Sequence, residues 1–152
     1  MKIDFKKLIK IIIGTILIGG IFAVLTMKDS GYKDLIKPID VPGYIFPIVW
    51  VILYILMGIS IYIISEDKYQ NNTKSYIIYI VQLIVNSLWT LFFFELKWYT
   101  FSSIWIVLLL ILVIIMILNF RKINKKATYL QIPYVLWLLF ALYLNISIAM
   151  FN

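Results

Sequence analysis

Three apolar stretches of this chain each carry one stripe of residues equipped to contact a ligand. Gln82, Asn86, Trp89 and Phe93 stand at i, i+4, i+7 and i+11, which places them on a single helix face. Pro133, Trp137, Phe140, Ala141, Leu144 and Asn145 recur with the same period. So do Phe46, Trp50, Leu53 and Tyr54, which follow Pro42 and Pro47. The chemistry on offer is amide, phenol and indole hydrogen bonding together with aromatic stacking. The chain contains no His and no Cys, so imidazole acid–base catalysis, thiolate nucleophiles, zinc sites and disulfides are excluded. A haem iron would find only Tyr or Met as a ligand. No cofactor and no metal are expected.

Each stripe has two readings. An unpaired amide in hydrocarbon costs free energy, so Gln82 and Asn86 must point inward. There they either join helices, at about 0.6 kcal/mol per hydrogen bond on average, or face a ligand. Aromatic stripes of this spacing commonly serve packing. Here they include Trp50, Trp89 and Trp137, whose indole N–H groups need partners. A pocket for a flat, hydrophobic ligand would satisfy both requirements.

The elements that must hold these stripes follow from composition. Hydrophobic residues make up 64% of the chain and charged residues 14%, with a mean hydropathy of +1.01. A soluble domain carries about 45–50% apolar and roughly 25% charged residues. Residues 11–27, 41–65, 75–94, 98–120 and 127–152 lack Asp, Glu, Lys and Arg altogether, in windows of 17, 25, 20, 23 and 26 residues. About 20 helical residues cross the ~30 Å hydrocarbon core. The fold class is therefore an all-α integral membrane protein, a bundle of five transmembrane helices over about 8–27, 45–65, 76–95, 99–120 and 128–151. Residues 1–152 read as a single domain. The windows hold no ionisable residue of the kind that marks proton relays and ion-coupled transporters.

Orientation follows from the loops. The basic start, Met1 to Lys10, leads into an apolar run too long for a signal peptide and is read as a retained first helix. Lys2, Lys6, Lys7, Lys10, Lys68, Lys74, Arg121, Lys122, Lys125 and Lys126 lie on one side; Lys28, Lys33, Lys37 and Lys97 lie on the other. The positive-inside rule then puts the N-terminus in the cytoplasm and the C-terminus outside, in a plasma (inner) membrane. The first connection, residues 28–44, would face outward and is long enough to fold over the bundle end as a lid. The excess of basic residues sets orientation rather than marking nucleic-acid binding, which is not expected. Thr15, Gly19 and Ala23 form a small-residue stripe for close helix packing, within one chain or between two.

These residues resemble the TspO/MBR family of tryptophan-rich sensory and translocator proteins. The resemblance covers roughly Tyr32 to Asn152. It comprises Lys37-Pro38, then Pro42-x-x-x-Phe46-x-x-Val49-Trp50-x-x-Leu53-Tyr54-x-x-x-Gly58, then Gln82-x-x-x-Asn86-x-x-Trp89-x-x-x-Phe93-Phe94. The densest match is Pro133-Tyr134-x-x-Trp137-x-x-Phe140-Ala141-x-x-Leu144-Asn145-x-x-Ile148, with Asn152 closing the chain. The chain departs from the family in the first loop. Gly31 stands before Tyr32 where the family has Trp, the tryptophan near Ile39 is missing, and Val41-Pro42 replaces a double proline. No Lys or Arg follows Lys126, so the sterol-recognition pattern of animal members is absent.

The resemblance implies a five-helix bundle, often a homodimer, with a pocket beneath the first loop for porphyrins such as protoporphyrin IX. On that basis the ligand-binding set is Tyr32, Pro42, Phe46, Trp50, Tyr54, Asn86, Trp89, Phe93, Trp137, Ala141, Leu144 and Asn145, with Lys33 or Lys37 available to ligand carboxylates. The leading expectation is a membrane receptor or carrier for tetrapyrroles. The alternative is a light-dependent porphyrin-degrading enzyme, in which Trp50 and Trp137, matching tryptophans implicated in some bacterial members, react with the excited ring. A third reading is a membrane regulatory or interaction protein without chemistry of its own.

Overall fold

The computed structural model describes residues 2–26, 31–68 and 71–152. Among these, five helical spans are long and apolar enough to cross a membrane. They are α1 (Phe5–Thr26), α2 (Ile45–Ser65), α3 (Thr73–Thr90, extended by a π-helical turn, Leu91–Glu95), α4 (Tyr99–Ile123), and a two-part fifth span of α5 (Lys125–Tyr129) and α6 (Ile132–Phe151). The helices form a closed ring. α1 packs on α2 and α3, and α3 and α6 both pack on α4. Aromatic contacts between α2 and α6 complete the circle.

The apolar pattern is inverted relative to a soluble bundle. Leu53, Met57, Leu83, Val113, Met116, Phe120 and Leu138 fill the middle. Ile13, Leu17, Ile104, Ile111, Ile114 and Leu118 point outward and stay exposed, which suits hydrocarbon and not water. Close helix approach comes from small residues. A β-carbon at Gly58 would stand 2.8 Å from the Ile12 side chain and 3.0 Å from its Cα, so α1 and α2 touch almost backbone to backbone there.

Several helix limits differ from the sequence expectation, and polar side chains tie the chain at each of them. α1 begins at Phe5 rather than near residue 8, since the Lys7 amide donates to Asp4 Oδ1 (3.0 Å). The Asp4 amide donates to Tyr62 Oη, and Lys7 Nζ pairs with Glu66 at 2.6 Å, tying α1 to the end of α2. α3 begins at Thr73 rather than 76: Asn72, almost fully buried, donates to the carbonyls of Ile64 and Asp67 and so closes the turn from α2. The basic stretch 121–126 is nearly all helical. Only Asn124 leaves helical geometry (φ −148°, ψ 118°), and its side chain accepts from the Lys126 and Ala127 amides to start α5 at once. Ala127, fully buried, passes its carbonyl to Ser60 Oγ of α2 (2.8 Å). Met27–Ser30, where the first loop was expected to start, lie outside the described residues.

Candidate ligand site

The three stripes meet at one end of the bundle. Phe46 and Trp50 from α2, Trp89, Phe93 and Phe94 from α3 and its π-turn, and Trp137, Ala141, Leu144, Asn145 and Ile148 from α6 surround a common centre, with Tyr32 over it. Their rings interlock. Phe46 meets Trp137 edge-on at 5.9 Å, Trp50 meets Trp137 at 6.4 Å and 90°, and Trp89 stacks on Phe93 at 5.3 Å. Tyr32 meets Phe46 edge-on at 5.3 Å. The space left between them is about 20 Å³, room for little more than a water.

The π-turn explains one feature of the lining. Leu96 N donates to Leu91 O, five residues back, and Lys97 then takes the left-handed conformation (φ 54°) to start the hairpin into α4. The wider turn leaves the consecutive residues Phe93 and Phe94 both buried beside Trp89. In a regular helix they would diverge by about 100°. Phe94 therefore lies off the stripe that ends at Phe93, as do other buried residues beside the stripes, and nothing in the residue types announces a π-turn.

Two sets of polar contacts frame the centre. Asn145 Oδ1 accepts from Trp89 Nε1 (3.2 Å) and Ser102 Oγ (2.8 Å), while its Nδ2 donates to the Ala141 carbonyl (3.0 Å). One amide thereby links α3, α4 and α6. Ser102 belongs to none of the three stripes; the signal that could have found it is its place between Trp98 and Trp105, at i+4 and i−3, on the fourth span. Further along the bundle runs a buried ladder through four helices. Tyr54 Oη lies 2.8 Å from the Gly19 carbonyl and 2.9 Å from Asn86 Oδ1, its one proton serving either acceptor. Asn86 Nδ2 donates to Tyr134 Oη (2.7 Å), which donates to Gln82 Oε1 (2.9 Å). Beside it Thr15 Oγ1 and Tyr79 Oη are 2.7 Å apart.

Of the residues expected to bind a ligand, the structure brings Tyr32, Phe46, Trp50, Trp89, Phe93, Trp137, Ala141, Leu144 and Asn145 to the common centre. It does not bring the other three. Asn86 has both amide ends committed to the tyrosines of the ladder. Tyr54 joins the same ladder and turns its ring to a neighbouring groove. Pro42 is exposed in the connection before α2, away from the lining. Gln82 is likewise interhelical glue. Thr15 and Gly19 pack inside the same chain, against Tyr79 and Tyr54.

The first-loop residues are held from two sides. Lys37 Nζ donates to the Tyr32 and Lys33 carbonyls (2.8 and 3.3 Å), sits 4.5 Å from the centre of the Tyr32 ring and pairs with Asp40 at 3.8 Å. Lys37 is thus engaged, and Lys33 is the exposed cation. Asn152 clamps the segment to the end of α6: the Ile36 amide donates to Asn152 Oδ1 (3.0 Å), and Asn152 Nδ2 donates to the Ile36 carbonyl (2.9 Å). Burial, helped by the charge of Asp40, raises the Tyr32 phenol above its usual pKa, so it stays neutral at physiological pH.

Two further features bear on ligand chemistry. Trp137, which lines the centre, has a buried Nε1 with no hydrogen-bond partner among the described residues. Beside the aromatic centre, and sharing Phe46, Trp50, Trp89 and Phe94 with it, a groove of about 600 Å³ runs between α1, α2 and the end of α3.

Five apolar spans ringed around an uncharged aromatic interior define a multi-pass integral membrane protein. A sequence model of the TspO/MBR family matches residues 9–151, and the chain belongs to that family. It is 33% identical over 152 residues to the tryptophan-rich protein TspO of Archaeoglobus fulgidus, covering 98% of this chain and 99% of that one. It is 33% identical over 140 residues to the protein of the same name from Chlorobaculum tepidum, covering 89% of each. It is 34% identical over 137 residues to protein CrtK of Rhodobacter capsulatus, covering 88% of this chain and 83% of that one.

Proposed function

We propose that this protein is a membrane receptor or carrier for a tetrapyrrole of the protoporphyrin IX type. The observation that carries the reading is the convergence of Phe46, Trp50, Trp89, Phe93 and Trp137 from three helices on one centre, with the Trp137 N–H left without an acceptor among the described residues. A flat macrocycle supplies both an aromatic face and acceptor atoms. The residual 20 Å³ is far below the several hundred Å³ of a small-molecule pocket, so binding requires the rings to move apart. The adjoining 600 Å³ groove gives them somewhere to go. Tyr32 and its loop then act as the lid, with Lys33 placed for a propionate at the mouth. The N-terminus is cytoplasmic and the mouth faces out of the plasma membrane, by the distribution of Lys and Arg. The working unit is a homodimer, as the family resemblance implies.

Titration of the purified protein with protoporphyrin IX in detergent, in the dark, tests this. Tryptophan fluorescence should be quenched saturably. Trp137→Ala should weaken binding by at least tenfold, and Trp137→Phe by less, because it keeps the ring and removes only the N–H. Absence of saturable quenching in the wild type sinks the proposal.

A second reading is enzymatic, and one contact favours it. Trp50 touches Trp137 edge-on and stacks on Tyr54 at 5.6 Å, so an indole that gives an electron to a light-excited ring can be refilled from an aromatic neighbour. The reduced ring passes its electron to dissolved dioxygen, the oxidant that this reading requires for loss of the macrocycle. Under illumination the porphyrin band should then bleach in the wild type and persist in Trp50→Phe and Trp137→Phe, while dark binding largely survives.

A further inference from the structure

The end of the bundle opposite the aromatic centre carries a corner of four exposed cations, Arg121, Lys122, Lys125 and Lys126. None of them lines the ligand site or the groove beside it. Charge that only sets orientation needs no fixed position. These cations have one. Arg121 and Lys122 close α4, where positive charge suits the helix end, but Lys125 and Lys126 open α5, the end at which it is disfavoured. The break between the helices is a single residue, Asn124, whose amide donates to the Phe120 carbonyl (2.7 Å) while its side chain caps α5. Buried Ala127 and its bond to Ser60 of α2 then pin α5 to the bundle. Four like charges are thereby held close together. Among the described residues no carboxylate pairs with Arg121, Lys125 or Lys126.

The surface next to the corner supplies the second observation. Ile111, Ile114 and Leu118 are exposed on α4 and recur with Arg121 at i, i+3, i+7 and i+10, so the chain's only arginine continues a hydrocarbon-facing row. Tyr129, 64% exposed and one turn after Lys125, adds an aromatic of the kind that sits at headgroup depth. Phosphate is the anion that suits this chemistry, because an arginine fork takes two of its oxygens at once and lysine ammonium groups add point charge. A free anion or an acidic protein segment would use only the cations. An occupant that uses the cations and the apolar row together has a phosphate head and hydrocarbon tails.

We propose that the α4–α5 corner is a binding site for one anionic phospholipid, with its phosphate on Arg121, Lys125 and Lys126 and an acyl chain along Ile111, Ile114 and Leu118. A zwitterionic lipid offers the same tails but brings a cation of its own, which this corner repels. The site does not depend on tetrapyrrole binding, and its test contains no porphyrin.

Native mass spectrometry of the full chain in detergent, titrated with dioleoyl-phosphatidylglycerol or with the phosphatidylcholine of the same chains, reads the preference. The first phosphatidylglycerol should bind at least about tenfold more tightly than the first phosphatidylcholine. The triple variant Arg121→Gln, Lys125→Gln, Lys126→Gln should bring the two lipids to within about twofold. The triple variant Lys2→Gln, Lys6→Gln, Lys10→Gln removes as many exposed charges from the same end of the bundle and should keep the preference. Equal affinity for the two lipids in the wild type, or an equal loss in both triple variants, overturns the proposal. So does displacement of the lipid by millimolar inorganic phosphate or by a polyglutamate peptide, which would mark a free-anion or an acidic-protein surface. A reading independent of any variant comes from wild-type nanodiscs containing phosphatidylglycerol with a diazirine in one acyl chain. On illumination it should label the 111–118 stretch of α4 at least about threefold more than the matching phosphatidylcholine does, and equal labelling counts against the site.

Discussion

The two ends of this bundle solve the problem of polar groups in hydrocarbon in opposite ways. In the half around Tyr54, Asn86, Gln82 and Tyr134, every named side chain is bonded to another helix, and the surrounding core of Met57, Leu83, Val113 and Phe120 is fully buried. In the half around Trp50 and Trp137, rings make most of the contacts and Asn145 alone bridges helices through Trp89 and Ser102, one indole N–H has no acceptor among the described residues, and a large groove lies alongside. A closed polar ladder resists opening, because separating the helices strands several buried groups at once. Edge-on rings can slide apart and restack with little loss beyond their area. The ladder half holds the fold, and the aromatic half is free to change shape.

The sharpest test of that division sits on consecutive residues. Gly19→Val drives a side chain into the Tyr54 ring, 2.4 Å from its β-carbon, at the foot of the ladder. The cost should reach about 3 kcal/mol, the upper range for overpacking. Gly20→Ala, one residue on, meets nothing and should be neutral or stabilising by roughly 0.5 kcal/mol. Thermal unfolding in detergent reads both. A similar loss at the two positions would mean that the Tyr54 contact is not what holds α1.

The next largest effect separates the two amides. Asn86→Leu removes the centre of the ladder, but Tyr54 keeps the Gly19 carbonyl and Tyr134 keeps Gln82, so about 1 kcal/mol is expected. Asn145→Leu takes away the acceptor for the Trp89 N–H, leaving a buried donor stranded at roughly 2 kcal/mol. Asn145 should therefore matter more to stability although it belongs to the more adaptable half. The reverse order would show that the ladder acts as a unit and not as separable bonds.

Much of this was legible in the sequence, and the parts that were not have physical reasons. Charge-free windows located the five spans because hydrocarbon tolerates few exceptions. The 3.6-residue period found the inward faces, and with them eight of the lining residues; Tyr32 came from the family resemblance. Periodicity cannot tell whether an inward amide meets a ligand or another helix, which is why Asn86 and Asn145 looked alike and proved to hold different partners. Pro42 came from the family resemblance alone, and the surrounding loop departs from the family. The groove beside the aromatic centre has no signature in the spacing, because it is formed by residues of α1, α2 and α3 that only the fold brings together.

The smallest expected effect concerns Tyr32, the first-loop residue that lines the aromatic half. The Tyr32 phenol is raised above its usual value of 10.0, first by burial and then by Asp40. A group that holds its proton more tightly when folded contributes fully below its unfolded pKa, and that contribution falls as pH rises through the folded one. Loop closure over the site should thus weaken from about pH 10 upward. Other groups titrate in the same range, so the wild-type melt alone proves nothing. Tyr32→Phe keeps the ring against Phe46 and beneath Lys37 and removes only the ionisable group. Between pH 8 and pH 11 the melting temperature of the wild type should fall further than that of the variant. If the two curves stay parallel, the phenol remains wetted when the loop is closed, and Tyr32 is a rim residue instead of a plug.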